Sequence, residues 1–441
     1  MPYNPKIVGK FERSQLPVGH GGFHIGTLNV EGELFRYFFD CGGGADGKKL
    51  INAEFERNSF DFGVISHFDA DHFSQLSKAS VKRVFIPYLE ELDMFFLTLT
   101  HFAKSGKFFN FSDALTQLAS KVELVMVQHV PSNNNYRDDL FGPAQDENEI
   151  SMKGIKAVKQ GAVYSISDNE DIFIGTKTND LVTLKFYNHR AEEIRTSFNI
   201  ALNDALTKSA PANAPSTKTT ARSGKATKVP APSPALSDAL NKSYATVEDF
   251  LADVKKDPAN IIQKNAARLK AAYAEILNGH GESGVTSSNL SSLTMFSVTT
   301  DSTKRRFCRK NFFTKPPSAV GCDHHHNYDY ECDGWMLTGD LELTGKIWGE
   351  FYKHYNLAIE QCAVFNVPHH GSAKAFDDSA IHHITTKKHF IFPVKENDKS
   401  HPAPALITLL EDYGIEDNGT TKVTEKPNSQ FTLTRLYCGE I

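Results

Sequence analysis

Cysteine is scarce in this chain, with six in 441 residues, and tryptophan is scarcer still, with two. So few cysteines exclude a disulfide-stapled secreted scaffold and match a reducing compartment. No apolar run approaches the length that spans a bilayer, and the opening stretch MPYNPKIVGKFERSQLP carries charge throughout with no apolar core, so no secretory signal is read there. The expectation is a cytoplasmic protein without a membrane span. An excess of basic charge is missing too. The formal net charge is −5, which argues against a general polyanion coat and leaves room for a local basic or cation-loaded site. What the chain does have is apolar material, 40% of its residues, enough for one large α/β domain with insertions or for two domains.

The densest chemistry lies between Val64 and Leu76, VISHFDADHFSQL, where an apolar run ends at Ser66 and His67, Asp69, Asp71 and His72 follow within six positions. Side chains fan out from a strand-to-helix turn, so such residues can converge on one point, and neutral imidazole with carboxylate suits divalent transition metals. One Asp alone would read as a helix cap. Four ligand-type residues so close together read as a metal-binding turn.

Upstream, VGHGGFHIGTLNV and ELFRYFFDCGGG form two expected strands joined by a turn at Glu31 and Gly32, ending in Asp40 and three glycines that let backbone pass close to a ligand. Downstream, strands are expected near Phe60 to Ser66, Val84 to Pro87 and Val122 to Val127, alternating with helices at Asp71 to Ala79, Glu91 to Lys104 and Phe111 to Ala119. Such alternation means an α/β or layered α+β fold. Ile155 to Tyr187 reads as a β-meander of short strands separated by Asn, Asp and Gly turns.

Composition shifts at about Thr207. Lys208 to Ser237 is Ala, Pro, Ser, Thr and Lys without an acidic residue, which cannot offset the entropy of folding and reads as a basic, disordered linker. Val247 to Leu277 then has helical periodicity, with Pro258 opening a second helix after Asp257. The expected organisation is therefore a first half-domain over 1–207, a linker over 208–243, a helical insertion over 244–284 and a second half-domain over 285–441, with a polar loop at 301–333. In that second half WMLTGD ends in Asp340, and AVFNVPHHGS carries His369 and His370 before Gly371 and Ser372. Residues at the ends of separate strands can meet on one sheet edge and complete the site begun at His67.

Taken in order, these pieces resemble the metallo-β-lactamase superfamily, and within it the soluble hydrolase domain of the ComEC DNA-uptake family, whose motifs run VGQGD, D-x-G, H-x-D-x-D-H, N-x-x-S-L, LLTGD, HHGS and HP. Here VGHGG spans Val18 to Gly22, with His20 and Gly22 in place of Gln and Asp, and the N-x-x-S-L segment falls on Asn289, Ser292 and Leu293. The HP histidine is His401, before Pro402.

The resemblance covers 17–190 and 285–441, and it implies a four-layer αββα sandwich holding one or two divalent ions, zinc or manganese with magnesium also suited. The implied ligands are His67, Asp69, Asp71, His72, Asp340 and His369 or His370, with a third-motif histidine at His189 or His129. It further implies hydrolysis by a metal-activated water. Asp40 orients ligands or water, and the non-ligand member of the His369/His370 pair acts with His401 on phosphate or a leaving alkoxide. Ser372 and Asn289 fall to substrate, Ser372 alternatively capping the helix expected after its turn. Asp69, where the commonest superfamily turn has His, hardens one position toward oxygen-preferring ions.

The leading expectation is a phosphodiesterase, a nuclease on DNA or RNA. Its rivals are hydrolysis of a small ester, thioester or lactam, and a degenerate scaffold recruiting a protein partner through the helical insertion. Within 301–333, Cys308, Cys322, His324, His326 and Cys332 match no standard zinc finger. Lys304, Arg305, Arg306, Arg309 and Lys310 interleave there with Phe307, Phe312 and Phe313, a mixture that suits single-stranded nucleic acid.

Overall fold

The computed structural model describes residues 6–105, 109–129, 138–139, 149–153, 156–160, 163–207, 244, 246–265, 268–269, 272, 291–300, 308–314, 333–384, 388–415 and 419–439. The expected linker, Asn289, and Cys322, His324, His326 and Cys332 lie outside these residues. The chain divides into two compact units, one made of Met1–Leu89, Leu115–Arg190 and Ser291–Ile441, the other of Glu90–Ala114 and Ala191–Leu290.

The first unit is mixed α/β. Its first part supplies strands Lys6–Gln15 (β1), His24–Val30 (β2), Glu33–Phe39 (β3), Phe60–Val64 (β4), Val81–Pro87 (β5) and Glu123–Gln128 (β6). Next come Asp138–Asp139 (β7), Ser151–Lys153 (β8), Lys156–Gln160 (β9), Val163–Ser167 (β10), Ile172–Gly175 (β11) and Asp180–Arg190 (β12). The last part adds Ser291–Thr299 (β13), Cys308–Thr314 (β14), Gly334–Leu337 (β15), Cys362–Asn366 (β16), His389–Pro393 (β17), Thr420–Val423 (β18) and Phe431–Gly439 (β19).

Among the described residues they form two sheets, ordered β14-β19-β1-β2-β3-β4-β5-β6-β10-β9-β7 and β18-β17-β16-β15-β13-β12-β11-β8. The central strands β3, β4, β5, β6 and β10 run parallel, as do β15, β16, β17 and β18. Strands covered on both faces need near-continuous apolar runs, which FDFGV, ELVMVQ and CAVFN provide.

One apolar cluster joins the facing sides of both sheets, with Phe62, Phe85 and Val125 from the first and Phe186, Met295, Trp335 and Val364 from the second. A polar bolt crosses the same layer. Arg13 on β1 is fully buried, donates from Nη1 to the Ser297 carbonyl at 2.8 Å and lies 3.3 Å from Asp333 Oδ2. Breaking a buried pair of this kind costs about 3–5 kcal/mol. Helix Ala45–Arg57 (α1) covers the outer face of the first sheet, where Phe55 packs on Phe38 and Phe60. Helix Gly345–Gln361 covers the outer face of the second, burying Trp348, Phe351 and Tyr355.

Three expectations change. The meander is not one sheet: β9 and β10 belong to the first sheet, β11 and β12 to the second, because β10 pairs in parallel with β6 while β11 turns back onto β12. The polar loop at 301–333 contains β14, which pairs with β19 through Phe312 and Phe313; two adjacent aromatics in CRKNFFT carry enough strand propensity to add an edge strand. The helical insertion is larger than 244–284. Helices Glu91–Ser105 and Glu192–Thr207 share its core, Phe95, Phe96, Leu99, Phe198, Leu202 and Leu206 packing with Phe250, Leu251 and Ile262. Helices Val247–Lys256 and Pro258–Lys264 do form as a pair, the first capped by Thr246 accepting from the Asp249 N–H. Among the described residues no helix is long and apolar enough to cross a membrane.

Candidate metal centre

Parallel strands expose their carboxyl ends along one edge, where open α/β folds place ligands, and the expected site residues follow β3, β4, β15 and β16. After β4, Ser66 and His67 lead into the one-turn helix Ala70–Phe73, which buries His72. After β15, the turn at Gly339 presents Asp340. After β16, the 3-10 turn Pro368–Gly371 holds His369 at φ 48° and His370 at φ 57°. Asp40, at the end of β3, also has a positive φ of 57°. Three non-glycine residues in the left-handed region within one site are a reservoir of strain kept by their surroundings.

Two glycine motifs lock the turn. A Cβ on Gly42 would lie 2.2 Å from the Asp71 carbonyl carbon, and one on Gly21 (φ +109°) 2.3 Å from the Asp71 oxygen. The glycines of VGHGG and CGGG thus allow two backbone segments to press against Asp71 and His72. The Gly22 N–H donates to the Asp71 carbonyl at 3.2 Å and the Gln75 N–H to the Cys41 carbonyl at 3.0 Å.

Five side chains converge. His67, His72 and Asp340 form one group of three ligand atoms within 4.8 Å of one another, and Asp71, His72 and His370 form another. His72 Nε2 lies 3.3 Å from Asp340 Oδ1 and 3.8 Å from Asp71 Oδ2; His67 Nε2 lies 3.6 Å from Asp340 Oδ2; His370 Nε2 lies 3.6 Å from Asp71 Oδ2 and 3.8 Å from Asp340 Oδ1. The Nε2 atoms of His67, His72 and His370 are buried without a hydrogen-bond partner. Of these residues His72 and His370 line a cavity of about 30 Å³, together with Asp40, Asp340, Gln15 and Asn366. Three orphaned imidazole nitrogens and two carboxylates, grouped within such distances of one another, could hold a divalent ion.

The outer contacts aim these nitrogens. Asp40 is buried and accepts from the Ser66 N–H at 2.7 Å, the Ser66 hydroxyl at 2.7 Å and His72 Nδ1 at 2.8 Å. His370 Nδ1 donates to the Pro393 carbonyl at 2.9 Å. Fixing one ring nitrogen this way sets the tautomer and turns the other inward. Below them Trp335 Nε1 donates to Asn366 Oδ1 and Asn366 Nδ2 to Gln15 Oε1, each at 2.8 Å. The Leu293 N–H donates to the Ser66 carbonyl at 2.8 Å and moors β13 to the turn.

Electrostatics favour a cation. Burial opposes charge on His72, yet Asp340 and Asp40 outweigh it and hold its pKa well above the usual 6.5. Burial and then His72 lower His67. Burial works to raise Asp71 and Asp340, but His370 and His72 hold Asp71, and His72, His370 and His67 hold Asp340, below the usual carboxylate range.

The remaining expected residues lie elsewhere. Asp69 is the N-cap of the one-turn helix without a side-chain cap bond, and its charge acts on His67. His369 turns to Glu342, its Nδ1 3.4 Å from Oε1, and that carboxylate raises its pKa against burial. His401 is part-buried, with its ring 6.3 Å from His369. Ser372 caps no helix: the next one begins at Asp378 and takes its cap bond from Asp377, which accepts the Ala380 N–H at 2.9 Å. The Ser372 hydroxyl is buried without a hydrogen-bond partner.

His189 sits on the same face of β12 as Tyr187, which packs with the outer-face cluster, whereas Phe186 and Asn188 alternate to the other face. Its electrostatic neighbours are His129 and Lys346, and it belongs to neither three-atom group among the described residues. His129 is held by Asp168 instead, Nδ1 to Oδ2 at 3.0 Å.

Sequence reasoning passed over Ser66, Glu342 and Asp398. Ser66 was legible as the hydroxyl preceding His67, and Asp398 as the Asx-turn residue in Asp-Lys-Ser-His; nothing in one sequence singles out Glu342. Compared with known proteins, the chain matches no family model and no curated protein.

Proposed function

We propose that this chain is a divalent-metal-dependent phosphodiesterase on a metallo-β-lactamase αββα sandwich, with DNA or RNA as substrate. The observation that carries the proposal is the convergence of His67, Asp71, His72, Asp340 and His370 at strand ends of two sheets, with three imidazole nitrogens left for an ion. Asp71, His72, Asp340 and His370 would hold one ion, and His67 with Asp340 would begin a second position that Asp69 adjoins. Such ions supply a water deprotonated near neutral pH and stabilise charge on the reacting oxygens.

The chain's own residues do the rest. Asp40 keeps His72 oriented, so no side-chain reorganisation is needed when substrate arrives. His369, whose pKa Glu342 raises, and His401 would act at the rim on a phosphate oxygen or a leaving alkoxide. The buried Ser372 hydroxyl, without a hydrogen-bond partner, is a further candidate for substrate.

The test is hydrolysis of DNA, RNA and a chromogenic phosphodiester before and after EDTA, with zinc and manganese added back, alongside lactone and thioester panels. The proposal requires EDTA-sensitive phosphodiester cleavage that Asp71→Ala abolishes. Turnover confined to the lactone or thioester panel would replace it with the small-ester reading.

A further inference from the structure

We infer that His20, Asp398 and His401 form a separate zinc site on the rim of the centre, with its own three ligands. His20 occupies the VGHGG position where the resembling family has Gln, and the proposed reaction leaves it without a task. The fold brings it to the loop after β17, where His20, Asp398 and His401 each offer one ligand atom, all within 4.8 Å of one another.

The carboxylate is oriented before any ion arrives. Asp398 Oδ1 is saturated by its own loop, accepting from the Ser400 N–H and the Ser400 hydroxyl at 2.7 Å each and from the His401 N–H at 3.1 Å. Its Oδ2 is thereby presented to both rings, 2.6 Å from His20 Nε2 and 3.6 Å from His401 Nδ1. The His20 approach is short but lacks hydrogen-bond geometry, and its Nε2 is buried without a hydrogen-bond partner. A proton shared between two atoms aligns them, whereas an ion shared between them does not require it. Nitrogen and oxygen ligands at about 2.0–2.1 Å around a tetrahedral zinc stand roughly 3.3 Å apart, a spacing the two observed separations bracket.

Two imidazoles and one carboxylate with a fourth position open is the pattern of an open zinc site, and the mixed nitrogen and oxygen set favours zinc over magnesium or calcium. Its ligands are distinct from those of the centre, with the His20 ring stacked face to face on His370 at 4.8 Å and 7° between the two groups. The consequence, which rests on the phosphodiesterase reading, is a second cationic anchor for a non-scissile phosphate, with His401 meeting phosphate through that ion and protonation of a leaving alkoxide left to His369.

The experiment counts zinc in the full-length chain after equilibrium dialysis. His20→Ala and His401→Ala are each expected to lose one equivalent and to keep the equivalents that Asp71→Ala removes. A gain of signal supports the count. His20→Cys loaded with cobalt should acquire a thiolate-to-metal charge-transfer absorption in the near ultraviolet, which a further His401→Ala substitution removes. Unchanged zinc content in both alanine variants, or no charge-transfer band in His20→Cys, would overturn the site whatever happens at the centre. Loss of zinc on His20→Ala with none on Asp71→Ala would sustain it and overturn the reading of the centre instead. If His20→Ala does not fold by circular dichroism, His401→Ala and the cobalt spectrum decide.

Discussion

The histidine and carboxylate group at the centre and the one around Tyr187 are built to opposite purposes. At the centre, Asp40 and the Pro393 carbonyl each hold one nitrogen of His72 and His370, and the opposite nitrogens are left bare and facing carboxylates. Around Tyr187, Asp168 likewise holds His129 by Nδ1, but the rings of His129, His189 and His354 are arranged about the tyrosine at 5.9, 6.4 and 5.2 Å. The first group converges its donors on a point, and the second surrounds an aromatic ring. Histidines beside a buried carboxylate are common to both; whether the rings converge on a point or pack about an aromatic separates them.

The largest expected effect is at the shared carboxylate. Asp340→Ala removes the group that faces His67, His72 and His370 together, and it should abolish metal retention at the centre and hydrolysis, with losses beyond the roughly 10–100-fold that outer contacts cost. Elemental analysis and initial rates check this. Asp40→Ala should fall within that 10–100-fold band in metal affinity, because it frees His72 to rotate while leaving every proposed ligand in place; competition with a metal indicator reads it. His189→Ala should leave metal content unchanged, since its ring stands beside His129 on the other face of β12. If His189→Ala costs an equivalent of metal, the contrast between the two groups collapses.

The smallest effect is in titration. The hydrogen bond that His129 donates to Asp168 raises the histidine's pKa against partial burial. A folded-state pKa above the unfolded value stabilises the protein below about pH 6.5 and loses that contribution as pH rises through the raised value. Asp168→Asn should therefore bring His129 down, as followed by NMR of its ring protons. The melting-temperature gap between wild type and variant should be widest in acid and shrink as pH rises.

Much of the centre was legible because its residues are dense in sequence or end apolar strands. HFDADH, TGD and PHHG each place their polar residues directly after a strand, and the glycines of CGGG announced a close backbone approach that Gly42 makes against Asp71. Illegible were choices that depend on direction. Nothing in HH tells that the first ring turns to Glu342 and the second inward, since that follows from two successive positive φ values. Nor could periodicity show that β10 would leave its neighbour β11 for a parallel partner far away in the chain, or that Phe95 and Phe198 would join the insertion's core. Long-range pairing is decided by packing rather than by local propensity.

The central claim is that the turn from His67 to His72 holds a metal with Asp340 and His370. Metal content of the purified chain, measured beside Asp71→Ala and His72→Ala, tests it most directly. At least one equivalent of divalent metal, removed by EDTA and missing from both variants, is the predicted result. Metal content unchanged by either substitution would contradict it.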